Sequence, residues 1–184
     1  MLKAYLAGPD VFLPDARAHA ARKVTICARH GIEGCPPLNE DLEDLSHYTA
    51  EQAWTTIYEK DIAMMEACDI IIANLSPFAG ASADSGTLIE VGWFLGRGKP
   101  IFGYSNSRVP FARRMAEQLK LAPPLPAGIA VESFDLPDNL MIPGAVQSGG
   151  YPIFVPTDDS VRGIDVLDVF ETCVAAAAKH LAAR

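Results

Sequence analysis

Between Thr87 and Gly96 the chain carries a single ionisable side chain, Glu90, set among Leu88, Ile89, Val91, Trp93, Phe94 and Leu95. These apolar residues cover every side of a helix, so the pattern predicts a largely buried helix with one carboxylate inside it. A buried carboxylate without a partner is costly and is seldom kept without a task. Glu90 is therefore the candidate reacting group, and a carboxylate in a dry cleft is suited to nucleophilic attack on an electrophilic carbon.

Asp61 is the second carboxyl of interest. On the helix expected from Thr49 to Cys68, Trp54, Ile57, Met64 and Cys68 form an i, i+3, i+4 stripe, and Asp61 falls inside it. It is either a desolvated carboxyl suited to donating a proton or a stripe-edge residue bonded to backbone. Asp84 also has two readings, as a site carboxylate or as the N-cap of the Glu90 helix. Tyr5 would ordinarily be a core residue, yet a phenol at the end of the first strand could hydrogen-bond Glu90 and fix its rotamer. Asn139, within Leu136-Pro137-Asp138-Asn139-Leu140-Met141, reads by itself as a turn residue.

The elements that position these residues alternate short apolar runs with helical patterns, the signature of a parallel α/β sheet. Strands are expected at Leu2–Ala7, Ile32–Cys35, Asp69–Leu75 and Lys99–Tyr104, with shorter ones at Ile129–Glu132 and Tyr151–Val155. Helices are expected at 15–29, 49–68, around Glu90, at 108–119 and at 164–182. The reading is a single domain over 1–184: a flavodoxin-like or Rossmann-like parallel sheet of about five strands flanked by helices, with loop excursions near 36–48 and 147–162. Ligands of such sheets collect beyond the carboxyl ends of the strands. There Gly8-Pro9-Asp10, the loop from Ser76 to Asp84 and the start of the Glu90 helix converge.

Composition narrows the function. A hydrophobic fraction of 49% over 184 residues suits a chain with a substantial core. The net charge of −8, with no long Lys/Arg cluster, argues against a nucleic-acid polymer as partner. No apolar run is long enough to span a bilayer, and no signal peptide is legible at the start, so a cytoplasmic location and no membrane partner are expected. Cys27, Cys35, Cys68 and Cys173 are scattered, without C-x-x-C or nearby His at ligand spacing, so reduced thiols and no metal are expected. The loops lack G-x-G-x-x-G and a P-loop lysine.

Four blocks of the chain resemble the nucleoside 2-deoxyribosyltransferases. They are Ala4-Tyr5-Leu6-Ala7-Gly8-Pro9-Asp10-Val11-Phe12; Glu59-Lys60-Asp61-Ile62 through Cys68-Asp69; Ala73-Asn74-Leu75-Ser76-Pro77-Phe78 through Glu90-Val91-Gly92; and Leu136 through Met141. The resemblance implies that Glu90 attacks the anomeric carbon of a 2′-deoxynucleoside, that Asp61 serves the leaving base and that Tyr5 positions the nucleophile. It further implies that Asp84 binds the 5′-hydroxyl side of the sugar. Asn139 would do the same from a neighbouring subunit, in a homo-oligomer. Gly8, Phe12, Asn39 and Met141 join the substrate-binding set, with Phe12 and Asn39 along the base pocket. The segment 147–162 is longer than the family pattern.

The activity so implied is transfer of 2-deoxyribose between purine or pyrimidine bases, retaining and ping-pong, through a deoxyribosyl ester, with no cofactor. The nearest alternative is a 2′-deoxynucleoside 5′-monophosphate N-glycosidase, which transfers to water. Members of that sister group carry Ser where this chain has Asp84 and Asn139, and a carboxylate at 84 would repel a phosphate dianion at short range. A non-catalytic nucleotide-binding module of the same fold is the reading from a different class.

Overall fold

The run Ile70–Asn74 is apolar in all but its last residue and wholly buried, as a strand covered on both faces must be. It forms β3 in a computed structural model that describes residues 1–38, 46–121, 126 and 128–182. The sheet has four parallel strands in the order β2-β1-β3-β4, with β1 at Leu2–Tyr5, β2 at Ile32–Cys35 and β4 at Ile101–Tyr104. The helices are α1 (Ala16–Arg29), α2 (Ala50–Ala67), α3 (Ser85–Gly96), α4 (Phe111–Leu119), α5 (Met141–Ser148) and α6 (Asp168–Ala182). A 3-10 turn, Pro9–Phe12, follows β1.

Strand alternation sorts the core onto two faces. Ala4, Leu6, Ile70, Ile72, Phe102 and Tyr104 pack with residues of α1 and α6 such as Ile26, Cys27, Phe170 and Val174. Tyr5, Ala7, Ile71, Ala73 and Ile101 pack with residues of α2, α3 and α5 such as Met65, Val91, Phe94 and Val146. Tyr5 therefore points toward the helix that carries Glu90. The strand order reverses direction between β1 and β3, which places a crevice beyond their carboxyl ends.

Local signals account for the helix ends. Thr49 and Gln52 form a reciprocal capping box at the start of α2, with bonds of 3.2 and 2.9 Å. Gly31, just past α1, takes φ +74°, the conformation a helix-ending glycine supplies without steric cost. No helix among the described residues is long and apolar enough to cross a membrane.

The α/β class, the parallel sheet and its flanking helices are as the sequence predicts, with corrections in detail. The sheet has four strands rather than about five. The expected strand at 129–132 is absent, and 151–155 contributes a single bridge, Phe154 to Tyr104. Helix α5 lies where no helix is predicted. Helix α6 begins at Asp168 instead of Ile164; in the preceding loop the Gly163 and Val166 carbonyls accept from Asn106 Nδ2 at 2.7 and 3.0 Å. Helix α3 is not largely buried: Thr87, Val91 and Phe94 face inward, whereas Ile89 is 74% exposed. Trp54, placed in the α2 apolar stripe by spacing, is 60% exposed. Each of these two helices packs on one side of the sheet, so only the stripe that faces it is covered and apolar residues off that stripe stay exposed.

Candidate active site

The crevice between β1 and β3 receives Glu90 from α3. Thr87, Glu90, Val91 and Phe94 follow the i, i+3, i+4, i+7 spacing of one helix face, so the turn that buries Thr87 and Val91 also draws Glu90 inward. From the strand side, the Tyr5 hydroxyl donates a 2.6 Å hydrogen bond to Glu90 Oε1. Tyr5 is fully buried, and its ring lies 6.1 Å from that of Phe94. The phenol is therefore held by packing before it holds the carboxylate.

A cleft of about 250 Å³ opens beside this pair, and Asp61, Asp84, Thr87, Gly86, Ile57, Gly8, Val11, Phe12 and Pro37 line it together with Glu90. Burial pushes the Glu90 carboxyl up to about 7; the Tyr5 hydrogen bond pulls against that, and the charges of Asp61 and Asp84 add to it. The Tyr5 phenol is pushed far above its ordinary value by burial and by the neighbouring Glu90 carboxylate, so it stays a donor.

The N-cap reading of Asp84 holds, and the side chain also lines the cleft. Its Oδ2 accepts from Thr87 N at 2.9 Å and from Thr87 Oγ1 at 3.1 Å. Asp61 is half-buried on α2 and faces the same cleft. Gly8 has φ +152°, and a Cβ there would lie 2.6 Å from Asn74 Cβ, so the β1 turn can pass close to β3 only as glycine. Phe12 is 68% exposed at the cleft mouth and stacks on Phe78, with ring centroids 5.6 Å apart.

Three sequence candidates are not gathered there. Asn39 lies outside the described residues. Asn139 and Met141 do not line the Glu90 cleft of their own chain. Asn139 Nδ2 donates to Glu132 Oε2 at 2.9 Å, and Leu140 N donates to Glu132 Oε1 at 2.6 Å, so Glu132 clamps this turn. Met141 is 70% exposed. The neighbouring Asp138 is buried and accepts from Ser82 Oγ at 2.7 Å and Ala83 N at 2.9 Å, directly ahead of Asp84. Arg114 completes the clamp through Ala81 O at 2.7 Å and Pro137 O at 2.6 Å.

Sequence reasoning missed the polar cluster beneath the cleft. Asp10, buried, takes hydrogen bonds from Lys23 Nζ and Asn74 Nδ2, with His19 Nε2 at 3.5 Å. Burial works against the Asp10 charge, but the Lys23 ammonium, the nearby His19 ring and the bonds from Lys23 and Asn74 hold the carboxyl well below the usual range. Asn74 Oδ1 in turn accepts from Ser76 N and Oγ, at 3.1 and 2.6 Å. The signal was present on α1, where His19 and Lys23 fall in one inward stripe with Ala20, Ile26 and Cys27.

Comparison with known proteins identifies the family and the fold. Residues 4–141 match the family model for nucleoside 2-deoxyribosyltransferases. The chain is 30% identical to an uncharacterized protein of Schizosaccharomyces pombe, over 98% of this chain and 88% of that one. Its structure is similar to that of a 2-desoxiribosyltransferase from Leishmania mexicana, with TM-score 0.66 and 29% identity over 98% of this chain and 99% of that one. A conserved protein from Enterococcus faecalis V583 shares the fold at TM-score 0.56 and 21% identity, covering 96% of this chain and 99% of that one. The motif blocks, the cleft they converge on and the match over residues 4–141 place this chain in the nucleoside 2-deoxyribosyltransferase family.

Proposed function

We infer that the protein transfers 2-deoxyribose between nucleobases, with Glu90 as nucleophile. The observation that carries this reading is the buried Tyr5 hydroxyl holding Glu90 Oε1 at 2.6 Å in a cleft that also contains Asp61 and Asp84. Cleaving an N-glycosidic bond calls for an anion below the sugar and an acid beside the departing base, as in retaining glycosidases. The ionised Glu90 forms a bond to C1′ while the C1′–N bond breaks; the base departs with that electron pair and a proton from Asp61. A second base then attacks C1′, gives its N–H proton to Asp61, and the ester C–O bond returns its electrons to Glu90. Two inversions restore the β-anomer. While Asp61 carries the proton, one of the two charges repelling the Glu90 carboxylate is removed, so the two roles support each other.

Asp84 at the mouth favours nucleosides over nucleotides, because its charge opposes a phosphate dianion. Asn139, clamped by Glu132 on a turn with exposed Leu140 and Met141, suits donation to a neighbouring subunit's cleft. The exposed Ile89 and Trp54 are apolar surface that an oligomer would cover. No cofactor enters this scheme, and a cytoplasmic homo-oligomer working in nucleoside salvage is the setting it implies.

Incubation with deoxyinosine and free adenine is expected to yield deoxyadenosine, followed by chromatography. Release of hypoxanthine with no new nucleoside would make water, not a base, the acceptor and the protein a hydrolase. The pH profile gives a second test. Attack needs ionised Glu90, so kcat/KM is expected to rise with pH through about 7. In Tyr5→Phe the hydrogen bond that lowers the Glu90 value is gone, so the rising limb moves to higher pH and the loss is greater at pH 6 than at pH 9. An unmoved limb in that variant would remove Glu90 from the ionisation that governs the rate.

A further inference from the structure

We propose that Asp138 is a positioning residue for the sugar's 5′-hydroxyl, one carboxylate that fixes both Asp84 in its own cleft and Asn139 for the cleft of a neighbouring subunit. The proposal rests on the reading above that these two residues serve that hydroxyl. Asp138 is 1% exposed and does not line the Glu90 cleft, so it acts only through the groups it holds. Its Oδ1 accepts from Ser82 Oγ at 2.7 Å and from Asn139 N at 2.8 Å, and its Oδ2 accepts from Ala83 N at 2.9 Å. Two of these donors stand immediately ahead of Asp84, and the third is the backbone of Asn139 itself. Segments 55 residues apart in the chain thus meet on one side chain.

Arg114 ties the same two segments, donating from Nε to Ala81 O at 2.7 Å and from Nη2 to Pro137 O at 2.6 Å. Its guanidinium also lies 3.9 Å from Asp138 Oδ2 and offsets the buried charge. A buried ion pair adds little net stability over apolar packing, so the use of this one is the geometry it imposes. Both residues it positions keep a group to spare. Among the described residues the Asp84 carboxylate accepts only through Oδ2, from Thr87 N and Oγ1, which leaves Oδ1 for a substrate hydroxyl. Asn139 Oδ1 accepts from Met141 N at 3.2 Å and Nδ2 donates to Glu132, which leaves the second Nδ2 hydrogen. A misplacement of about 1 Å in such a contact costs up to about 100-fold in rate.

The test compares deoxyinosine with 2′,5′-dideoxyinosine, which lacks the hydroxyl, as donors to adenine. The parent should use the second about 100-fold less well in kcat/KM, the scale of a lost hydrogen bond to a charged group. In Asp138→Asn one carboxylate oxygen becomes an N–H group set against a donor, so one tie is lost whichever way the amide turns. For deoxyinosine kcat/KM should then fall about 30-fold, while for 2′,5′-dideoxyinosine, which has no hydroxyl to misplace, it stays within about twofold. Ser82→Ala removes one tie and leaves the carboxylate; it should give the same pattern at about fivefold, and it carries the comparison if Asp138→Asn does not fold. Losses equal on the two nucleosides, or absent from both, would overturn the positioning role and leave the proposed function standing. A parent that uses both nucleosides equally well would also overturn it, because no contact to the hydroxyl would exist to be positioned. A parent that transfers from neither would overturn the proposed function and this role with it.

Discussion

Glu90→Gln is expected to lower deoxyribosyl transfer by about 10⁴-fold or more, the scale of losing a nucleophile from an otherwise intact site, while making the fold more stable at pH 8. The two effects share one cause. Burial lifts the carboxyl from 4.5 to about 7, so the folded chain resists the very charge that the reaction requires. Between those values the folded state binds more protons than the unfolded one, and stability therefore falls as pH rises. A shift of that size corresponds to about 3–4 kcal/mol. The neutral amide keeps an acceptor for Tyr5 and ends the repulsion from Asp61 and Asp84. Denaturant midpoints should thus separate variant from parent at pH 8 and converge near pH 4. An equal difference at both pH values would mean that the variant acts through packing and not through charge. Substantial transfer by the variant would remove Glu90 from the bond-forming step.

How much of this site the sequence discloses depends on the range of the interaction involved. A central strand at Ile70–Asn74 is legible because a continuous apolar run of that length has few other uses. Glu90 stands out because its helix offers no other charge, and Asp84 because a helix start restricts what precedes it. What a helix meets is harder to read. With apolar residues all round, nothing local says that Val91 turns inward and Ile89 outward; the position of the sheet decides that. Spacing likewise puts Trp54 in a stripe that the packing of α2 leaves half empty. Helix α5 is hidden by Pro143 and Gly144, yet Pro143 sits at its third position, where the missing N–H costs no helical bond. The Glu132 clamp on Asn139 has no local signature, because the two residues stand seven apart in irregular chain with no periodicity to pair them.

The largest structural effect is expected from Asp10→Ala, at a residue the sequence presents only as part of a Gly-Pro-Asp turn. The substitution leaves the Lys23 ammonium, itself 2% exposed, facing the rings of Phe170 and Tyr104 at 4.9 and 5.9 Å without its anion. Removing one partner of a buried ion pair typically costs about 3–5 kcal/mol, because the remaining charge stays desolvated. Replacing both, as Asp10→Leu with Lys23→Met, removes the stranded charge and should recover most of that loss. The pH dependence runs opposite to that of Glu90. A carboxyl held low in the fold adds stability above its ordinary pKa and loses it as pH falls below that value, so the parent should weaken in acid and Asp10→Ala should show a flatter profile there. Activity is tied to the same pair, since Asp10 holds Asn74, Asn74 holds Ser76, and Gly8 passes against Asn74 to bring Tyr5 and β1 beside the cleft. Urea unfolding of the single and double variants measures the coupling directly. A cost for Asp10→Ala below about 1 kcal/mol would show that Lys23 reaches water or another anion once Asp10 is gone, and that the buried pair is not what fixes the floor of the site.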